Sequence, residues 1–390
     1  MRNYLFVSHS SVLHGAEISL LELIKLLKEK EKCKIQVVIP FPIEDSDFFT
    51  ELNNLEVDVI LLNYKYTRWV DSDWRILVFL KQNLKLIFTF FKLLIKCRPD
   101  IIVFNTIVLT PIFALVSKFF NSKKIWLIHE LGDEDHGYRF LLGKWFSIRL
   151  IYSLVDQVVY NSEFTRSKYG VLYRNESKTS VFYPVIINKS DASMDVNIVS
   201  KGDNILRILV LGRTCEGKGQ MDTLIALNVL VKKYNIRNVQ LCFVGKVKNE
   251  YTDKMVEFSV INDLEDYVLW VEFTDKSTVH NYLCDSDVAI VSSRNEAFGR
   301  ITVEYLFYGL IVIGTNVGGT MEILRKFEDN TFNYSPGDTN ELVKHLLTVY
   351  NMSNEEFRLK VDTIVQNSNA YFNVEKYLKG WNNILMKLSI

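Results

Sequence analysis

Short β-branched runs alternate with longer amphipathic segments along this chain, and after one polar interval the alternation begins afresh. No other feature limits the fold so strongly. Such an alternation is the pattern of parallel strands joined by crossover helices, so the chain is α/β. The first set of strand candidates is Tyr4 to Ser8, Ile35 to Pro40, Val57 to Leu62, Ile101 to Phe104, Ile125 to His129 and Gln157 to Tyr160. Helical patterns such as Ala16 to Glu29 and Arg75 to Lys96 lie between them. Asn188 to Asn204 is polar and free of core residues. Beyond it the candidates are Arg207 to Gly212, Val239 to Gly245, Val268 to Glu272, Val288 to Ser292 and Ile311 to Thr315. Two complete α/β sets with a polar interval between them imply two domains. With 390 residues each domain has enough chain for its own core.

Charge narrows the function classes. Lys and Arg number 46 and Asp and Glu 46, a net charge of zero. No global field is available to hold a nucleic-acid backbone, so nucleic acid is not expected as a partner. Cut after Asp195, the two parts stand at +3 and −3. The five cysteines, Cys33, Cys97, Cys215, Cys242 and Cys284, are odd in number and form no C-x-x-C pair, which points to neither a disulfide framework nor a zinc site. They read as reduced thiols. The start, MRNYLFVSHS, has no long apolar stretch, and no segment approaches the ~18 uninterrupted apolar residues of a membrane span. The expectation is a cytoplasmic protein.

Ligands of open α/β sheets bind outside the carboxyl ends of the strands, and the motifs that carry chemistry fall there. In Ser292 to Glu322 a strand ends near Ser292, a short loop holds Glu296, and Phe298-Gly299-Arg300 opens a helix with Glu304 on its second turn. Amide groups at such a helix start, beside a glycine that admits close approach, suit a phosphate or diphosphate. A carboxylate further along can accept hydrogen bonds from ribose hydroxyls. Taken alone, Glu296 as an electrostatic cap and Glu304 on a solvated face explain the two glutamates as well. The second segment, Leu209 to Gln220 (LVLGRTCEGKGQ), is again a strand, a glycine turn and a helix, with Arg213 and Lys218 on the turn. A guanidinium fork and an ammonium on one loop can neutralise the charge that builds on a departing diphosphate. Alone, that loop is also compatible with an ordinary soluble turn.

Together these segments resemble a family. Glu296 and Glu304 with seven residues between them, the glycine-rich stretch Gly309 to Glu322, and the G-R-x4-K-G of Gly212 to Gly219 resemble the family-4 retaining glycosyltransferases of the GT-B fold. Val244-Gly245, Asp287 to Ser293 (DVAIVSS), His14-Gly15-Ala16-Glu17, Pro99 to Asn105, His129-Glu130 and Asn161 to Thr165 fall in the same order. The match spans nearly the whole chain and is strongest from Arg207 to Leu324. Three positions depart from the pattern. His14 stands before Gly15 where two glycines are common, Phe273-Thr274 where Phe-Gly or Leu-Gly is frequent, and Tyr305 where a small residue often follows the second glutamate.

The resemblance implies two Rossmann-like, doubly wound domains that face a central cleft. Residues 1–190 would form an N-terminal acceptor-binding domain and 200–373 a nucleotide-sugar-binding domain, with a C-terminal helix, 374–390, crossing back to the first. Arg213 and Lys218 would bind the donor diphosphate, helped by amides around Phe298, Gly299 and Arg300, with Gly212 and Gly245 at the strand ends. Glu304 would hold the ribose hydroxyls and Glu296 those of the donor sugar. Gly15 would let the opposite domain approach the phosphates, and His129 would face the transferred sugar. Attack on the same face as the leaving phosphate, whose oxygen helps deprotonate the acceptor, would retain the anomeric configuration without a protein base.

No cofactor and no metal are expected. The Asp133-Glu134-Asp135-His136 run reads as a solvated loop, since Arg213 and Lys218 already supply positive charge. His9, His14 and His129 each also suit a purely structural place at a strand end or loop. The acceptor is expected to be a glycan, a lipid-linked molecule or a protein, in cell-surface polysaccharide or glycoconjugate synthesis. In Arg75 to Lys96, Lys81, Lys85, Lys92 and Lys96 fall on one stripe of an otherwise apolar helix at ~100° per residue. This helix either packs in the core with its lysines in water or lies on an anionic membrane, the inner face of the plasma membrane for a cytoplasmic protein. Val374 to Leu388 has helical spacing, with Trp381 as its anchor. Two rivals share much of this reading, a GT-B sugar-nucleotide epimerase and a non-catalytic binding subunit of glycosyltransferase type.

Overall fold

A computed structural model describes residues 1–41, 46–63, 76–107, 110–132, 143–170, 176–186, 205–272 and 275–389. The chain divides into two units, the first made of Met1–Ile187 with Val374–Ile390 and the second of Asn188–Asn373.

Unit 1 runs β1 (Arg2–Val7), α1 (Gly15–Lys30), β2 (Cys33–Pro40), α2 (Asp47–Asn54), β3 (Asp58–Leu62), α3 (Ile76–Cys97), β4 (Ile101–Asn105), α4 (Thr110–Ser117), β5 (Lys123–Ile128), α5 (Lys144–Leu154), β6 (Gln157–Tyr160), α6 (Glu163–Gly170) and β7 (Thr179–Val181). The strands form one parallel sheet in the order β3-β2-β1-β4-β5-β6-β7. Strand order therefore reverses between β1 and β4. Because the pleat sends successive side chains to opposite faces, the run Tyr4-Leu5-Phe6-Val7 feeds two cores at once. Tyr4 and Phe6 join Leu20, Leu23, Ile24 and Leu27 of α1, while Leu5 and Val7 join Phe90 and Leu94 of α3, Phe113 of α4 and Ile151 of α5.

Unit 2 runs β8 (Leu206–Leu211), α7 (Met221–Lys232), β9 (Val239–Lys246), α8 (Glu250–Ile261), β10 (Val268–Glu272), α9 (Lys276–Cys284), β11 (Val288–Val291), α10 (Arg300–Phe307), β12 (Ile311–Thr315), α11 (Gly318–Leu324), β13 (Phe332–Tyr334), α12 (Thr339–Tyr350) and α13 (Asn354–Tyr371). Its parallel sheet has the order β10-β9-β8-β11-β12-β13, which reverses between β8 and β11. At the start of β11 the buried Asp287 accepts the Arg207 amide of β8 at 2.8 Å. This fixes the register of the two strands that bracket the reversal. Several helices begin on side-chain caps, as where Ser353 accepts the Glu356 amide ahead of α13.

The last helix, α14 (Val374–Lys387), belongs to unit 1. Trp381 is fully buried in the same core as Tyr4, and Phe182 stacks on Tyr377 at 4.3 Å and packs on Trp381 at 5.7 Å. Lys387 donates to Ser180 Oγ at 2.9 Å. The five cysteines are free thiols. Among the described residues no helix is long and apolar enough to cross a membrane.

Candidate active site

In unit 2 the loop after β8 and the loop after β11 leave adjacent strands where the order reverses, the place where open α/β sheets hold their ligands. Lys218 Nζ donates to Glu296 Oε2 at 2.7 Å across the two loops. The backbone reinforces this join. Ser292 Oγ donates to the Lys218 carbonyl at 2.8 Å, and the Arg294 amide to the Gly217 carbonyl at 2.8 Å. Gly219, at φ +62°, lies so close that an added Cβ would stand 2.3 Å from the Ser292 carbonyl oxygen. Both members of the Lys218–Glu296 pair are partly exposed, so they remain within reach of a ligand.

Burial by itself would lower the Lys218 pKa. The Glu296 carboxylate outweighs it, by charge and by hydrogen bond, and leaves the ammonium titrating above its usual value, with Arg213 opposing as a smaller effect. Lys218 is thus charged throughout the neutral range. Arg213 is exposed on the same loop, and its main chain is held by Gln220, whose Nε2 donates to the Arg213 carbonyl at 3.1 Å. Thr214, the next residue, is buried and linked to Thr252 Oγ1 at 2.6 Å, and its carbonyl accepts from Asn249 at 2.8 Å. At the end of β9, Gly245 at φ +108° packs on Gly212, where a Cβ would meet the Gly212 carbonyl at 2.8 Å. This close strand-end approach explains Gly245 in structural terms.

Gly299, in the left-handed region at φ +88°, is the N-cap of α10, whose first turn is where helix amides lack intrahelical acceptors. Arg300 Nε donates to Glu304 Oε1 at 3.2 Å. Beneath them the start of α11 comes into main-chain contact with the Glu296 loop. The Gly319 amide donates to the Glu296 carbonyl at 2.7 Å, and a Cβ on Gly319 would lie 2.2 Å from the Phe298 carbonyl oxygen. The two glycines 318 and 319 give Glu296, Phe298 and Gly299 room for their path. Lys218, Glu296, Phe298, Gly299, Arg300 and Glu304 therefore belong to connected loops and one helix start, with Gly212, Arg213 and Gly245 at the neighbouring strand ends.

Some residues that hold this arrangement do not stand out in the sequence. Arg294 and Asp222 form a bidentate pair with both contacts at 2.7 Å, and Asp222 also accepts the Gly337 amide at 3.0 Å. The Asp222 contact raises the Arg294 pKa further. Tyr305, the bulky residue after Glu304, is fully buried, and its hydroxyl accepts the Leu211 amide at 2.7 Å, at the last residue of β8. Burial raises its phenol pKa well above the usual range. Phe273-Thr274 lie outside the described residues, as does Asp133 to His136. Among the described residues no group of three or more His, Cys, Asp or Glu side chains could hold a metal ion.

Gly15 and His129 belong to unit 1. Gly15 is the first residue of α1, and an added Cβ there would meet nothing within 4 Å. His129 is one residue past β5. Its amide donates to Glu130 Oε2 at 3.2 Å, and its carbonyl accepts from Asn161 at 2.9 Å. Glu130 is buried and takes the Ile107 amide on its other oxygen at 2.7 Å, so one carboxylate braces the loops after β4 and β5. His9 Nδ1 lies 3.1 Å from the fully buried Glu17, which also accepts from Ser8 Oγ at 2.8 Å. Close by, the β-branched Thr106 is held at φ +80°, and its hydroxyl lies 3.4 Å from His9 Nδ1. Such a backbone is strained and is met most often at functional sites.

Residues 195–364 match the family model described as Glycosyl transferases group 1. A Haemophilus influenzae protein named an uncharacterized glycosyltransferase is 23% identical over 286 residues, 73% of this chain and 75% of its own length. Among solved structures, Anabaena HepE in complex with UDP has a TM-score of 0.75 at 19% identity, covering 100% of both chains, and is also solved with UDP-glucose. The lipopolysaccharide outer core galactosyltransferase WaaB has a TM-score of 0.69 at 16% identity and 99% coverage of both chains. The two parallel-sheet Rossmann-like units are thus those of the GT-B fold that the motifs imply. The match to the group 1 model falls in unit 2, where Lys218 and Glu296 meet, and the protein is a glycosyltransferase.

Proposed function

We propose that the protein moves a sugar from a nucleoside-diphosphate sugar to a hydroxyl of a glycan, lipid-linked or protein acceptor. The transfer retains anomeric configuration, needs no metal, and serves cell-surface polysaccharide or glycoconjugate synthesis. The observation that carries this reading is the Lys218–Glu296 contact, which joins the two loops at the β8/β11 reversal. An ammonium and a carboxylate preassembled there suit the two ends of one bond, the phosphate oxygen that leaves and the sugar hydroxyls beside it. Lys218 and Arg213 neutralise the diphosphate, and the amides opening α10 at Phe298, Gly299 and Arg300 add the positive pole of a helix. Glu296 accepts from the sugar hydroxyls, and Glu304, held by Arg300, accepts from the ribose. In the reacting step the bond from C1 to the phosphate oxygen breaks, the acceptor oxygen bonds C1 on the same face, and the acceptor proton goes to the leaving phosphate oxygen. For Gly15 and His129 the support is the family resemblance alone.

HepE, a structural neighbour, is solved with UDP and with UDP-glucose, which makes UDP-sugars the first donors to try. The test is a thermal-shift screen over UDP-, GDP-, ADP- and dTDP-sugars, followed by product analysis by NMR in excess EDTA. A ligand that binds the native state raises its melting point by mass action. One nucleotide class should do so, with release of free nucleotide and a product anomer matching the donor. No shift with any of them, or epimerised donor as the product, would overturn donor binding and transfer respectively. Inverted product would remove retention. Loss in EDTA that a divalent cation restores would remove metal independence.

A further inference from the structure

One face of unit 1 is covered by α3, α4 and α5, which all bury their inner sides in the same core through residues such as Leu94, Phe113 and Ile151. Their outer sides do not look like an ordinary soluble surface. Phe88 is 64% exposed, Phe119 just after α4 is 77%, and Trp145 is 51%, with Ile95, Leu115 and Phe146 also exposed. Single exposed apolar residues are common, but a series of large ones along neighbouring helices marks an interaction site. At ~100° per residue the exposed apolar residues of α3 lie beside the stripe of Lys85, Lys92 and Lys96, opposite the buried Leu86, Phe90 and Leu94.

The charge on these three helices has one sign. The sequences of α3, α4 and α5 contain no Asp or Glu, whereas α3 ends on Lys96, Lys118 follows α4, and α5 carries Lys144 and Arg149. In a protein of zero net charge, three adjacent helices without a carboxylate are a local departure. Lysines and arginines beside exposed Phe, Leu and Trp are the composition of a surface that lies in a bilayer interface, with rings in the acyl boundary and cations among headgroups.

We propose that this face docks on an anionic lipid bilayer, with α3 lying along the surface and Phe119 and Trp145 entering the interface. The proposal is independent of the donor reading, because none of these residues belongs to unit 2 or to the site there.

The test is co-sedimentation of the full chain with phosphatidylcholine vesicles, with and without phosphatidylglycerol. Binding should require phosphatidylglycerol and weaken as salt rises. The double variant Lys92→Gln, Lys96→Gln should bind about 25-fold more weakly, at about fivefold for each surface lysine. Phe119→Ser with Trp145→Ser should weaken binding by about tenfold or more. All four positions are exposed, so melting points should hold and circular dichroism should show an intact fold. Equal binding to both vesicle types, no binding to either, or binding indifferent to both variants would overturn the proposal. So would a dimer in solution that these same variants dissociate, since the face would then belong to a second copy of the chain.

Discussion

The Tyr305 hydroxyl, on α10, accepts the amide of Leu211 at the last residue of β8, 2.7 Å away. One side chain thereby ties the helix that carries Glu304 to the strand whose next residues are Gly212 and Arg213. Tyr305→Phe keeps the ring and removes the acceptor, leaving a main-chain donor without that partner. We expect a loss of about 1–2 kcal/mol in stability by chemical denaturation. If the tie also positions Arg213, the donor KM should rise while the secondary structure stays intact. An unchanged denaturation midpoint would show that water replaces the hydroxyl without cost.

Lys218→Ala removes the cation assigned to the leaving diphosphate. Loss of one preorganised charge donor lowers kcat by about 10²–10³-fold. The fold should survive, because Lys218 and Glu296 are both partly exposed and water can solvate the carboxylate left behind. Turnover equal to the parent protein would remove Lys218 from the reaction.

The raised Lys218 pKa has a pH signature. A cation whose folded-state pKa lies above its unfolded value contributes stability in full below the unfolded value, ~10.4, and loses it as pH rises through the folded value. The difference in melting temperature between the parent protein and Lys218→Met should therefore be flat from pH 7 to about pH 10 and shrink above that. A difference that changes between pH 6 and 9 would contradict the assignment.

Two glycines should behave in opposite ways. Gly319→Ala puts a Cβ where the Phe298 carbonyl lies, so the Glu296 loop must move, at a cost of about 1–3 kcal/mol and most of the activity. Gly15→Ala meets nothing and lies at a helix start, so stability should hold or rise by about 0.4–1 kcal/mol. Lost turnover in a fully stable Gly15→Ala protein would mean that a ligand needs the space. Full turnover would remove Gly15 from the donor site.

Much of this architecture is legible in the sequence because buried parallel strands read as continuous β-branched runs. Gln157–Tyr160, Val268–Glu272 and Ile311–Thr315 coincide with their expected spans, and most others shift by one or two residues. The strands Thr179–Val181 and Phe332–Tyr334 are invisible for a physical reason. Each has three residues at a sheet edge, too short to show any period. The Glu296 and Lys218 loops are legible from their glycines, of which Gly219 and Gly299 combine a positive φ with close neighbours where a Cβ would stand. The pairing of Arg294 with Asp222 is not, because it joins positions 72 apart that meet only once strand order is set. The β-branched pattern places His129 at the end of a strand, whereas it follows the strand, its main chain held by Glu130 and Asn161.

The place of Trp381 in the core of unit 1 has a consequence for biosynthesis. Residues 374–388 leave the ribosome after the whole of unit 2, so the nascent chain can close the later lobe while the earlier one still lacks its final layer. Until then Tyr4, Phe182 and their neighbours wait without the indole that covers them.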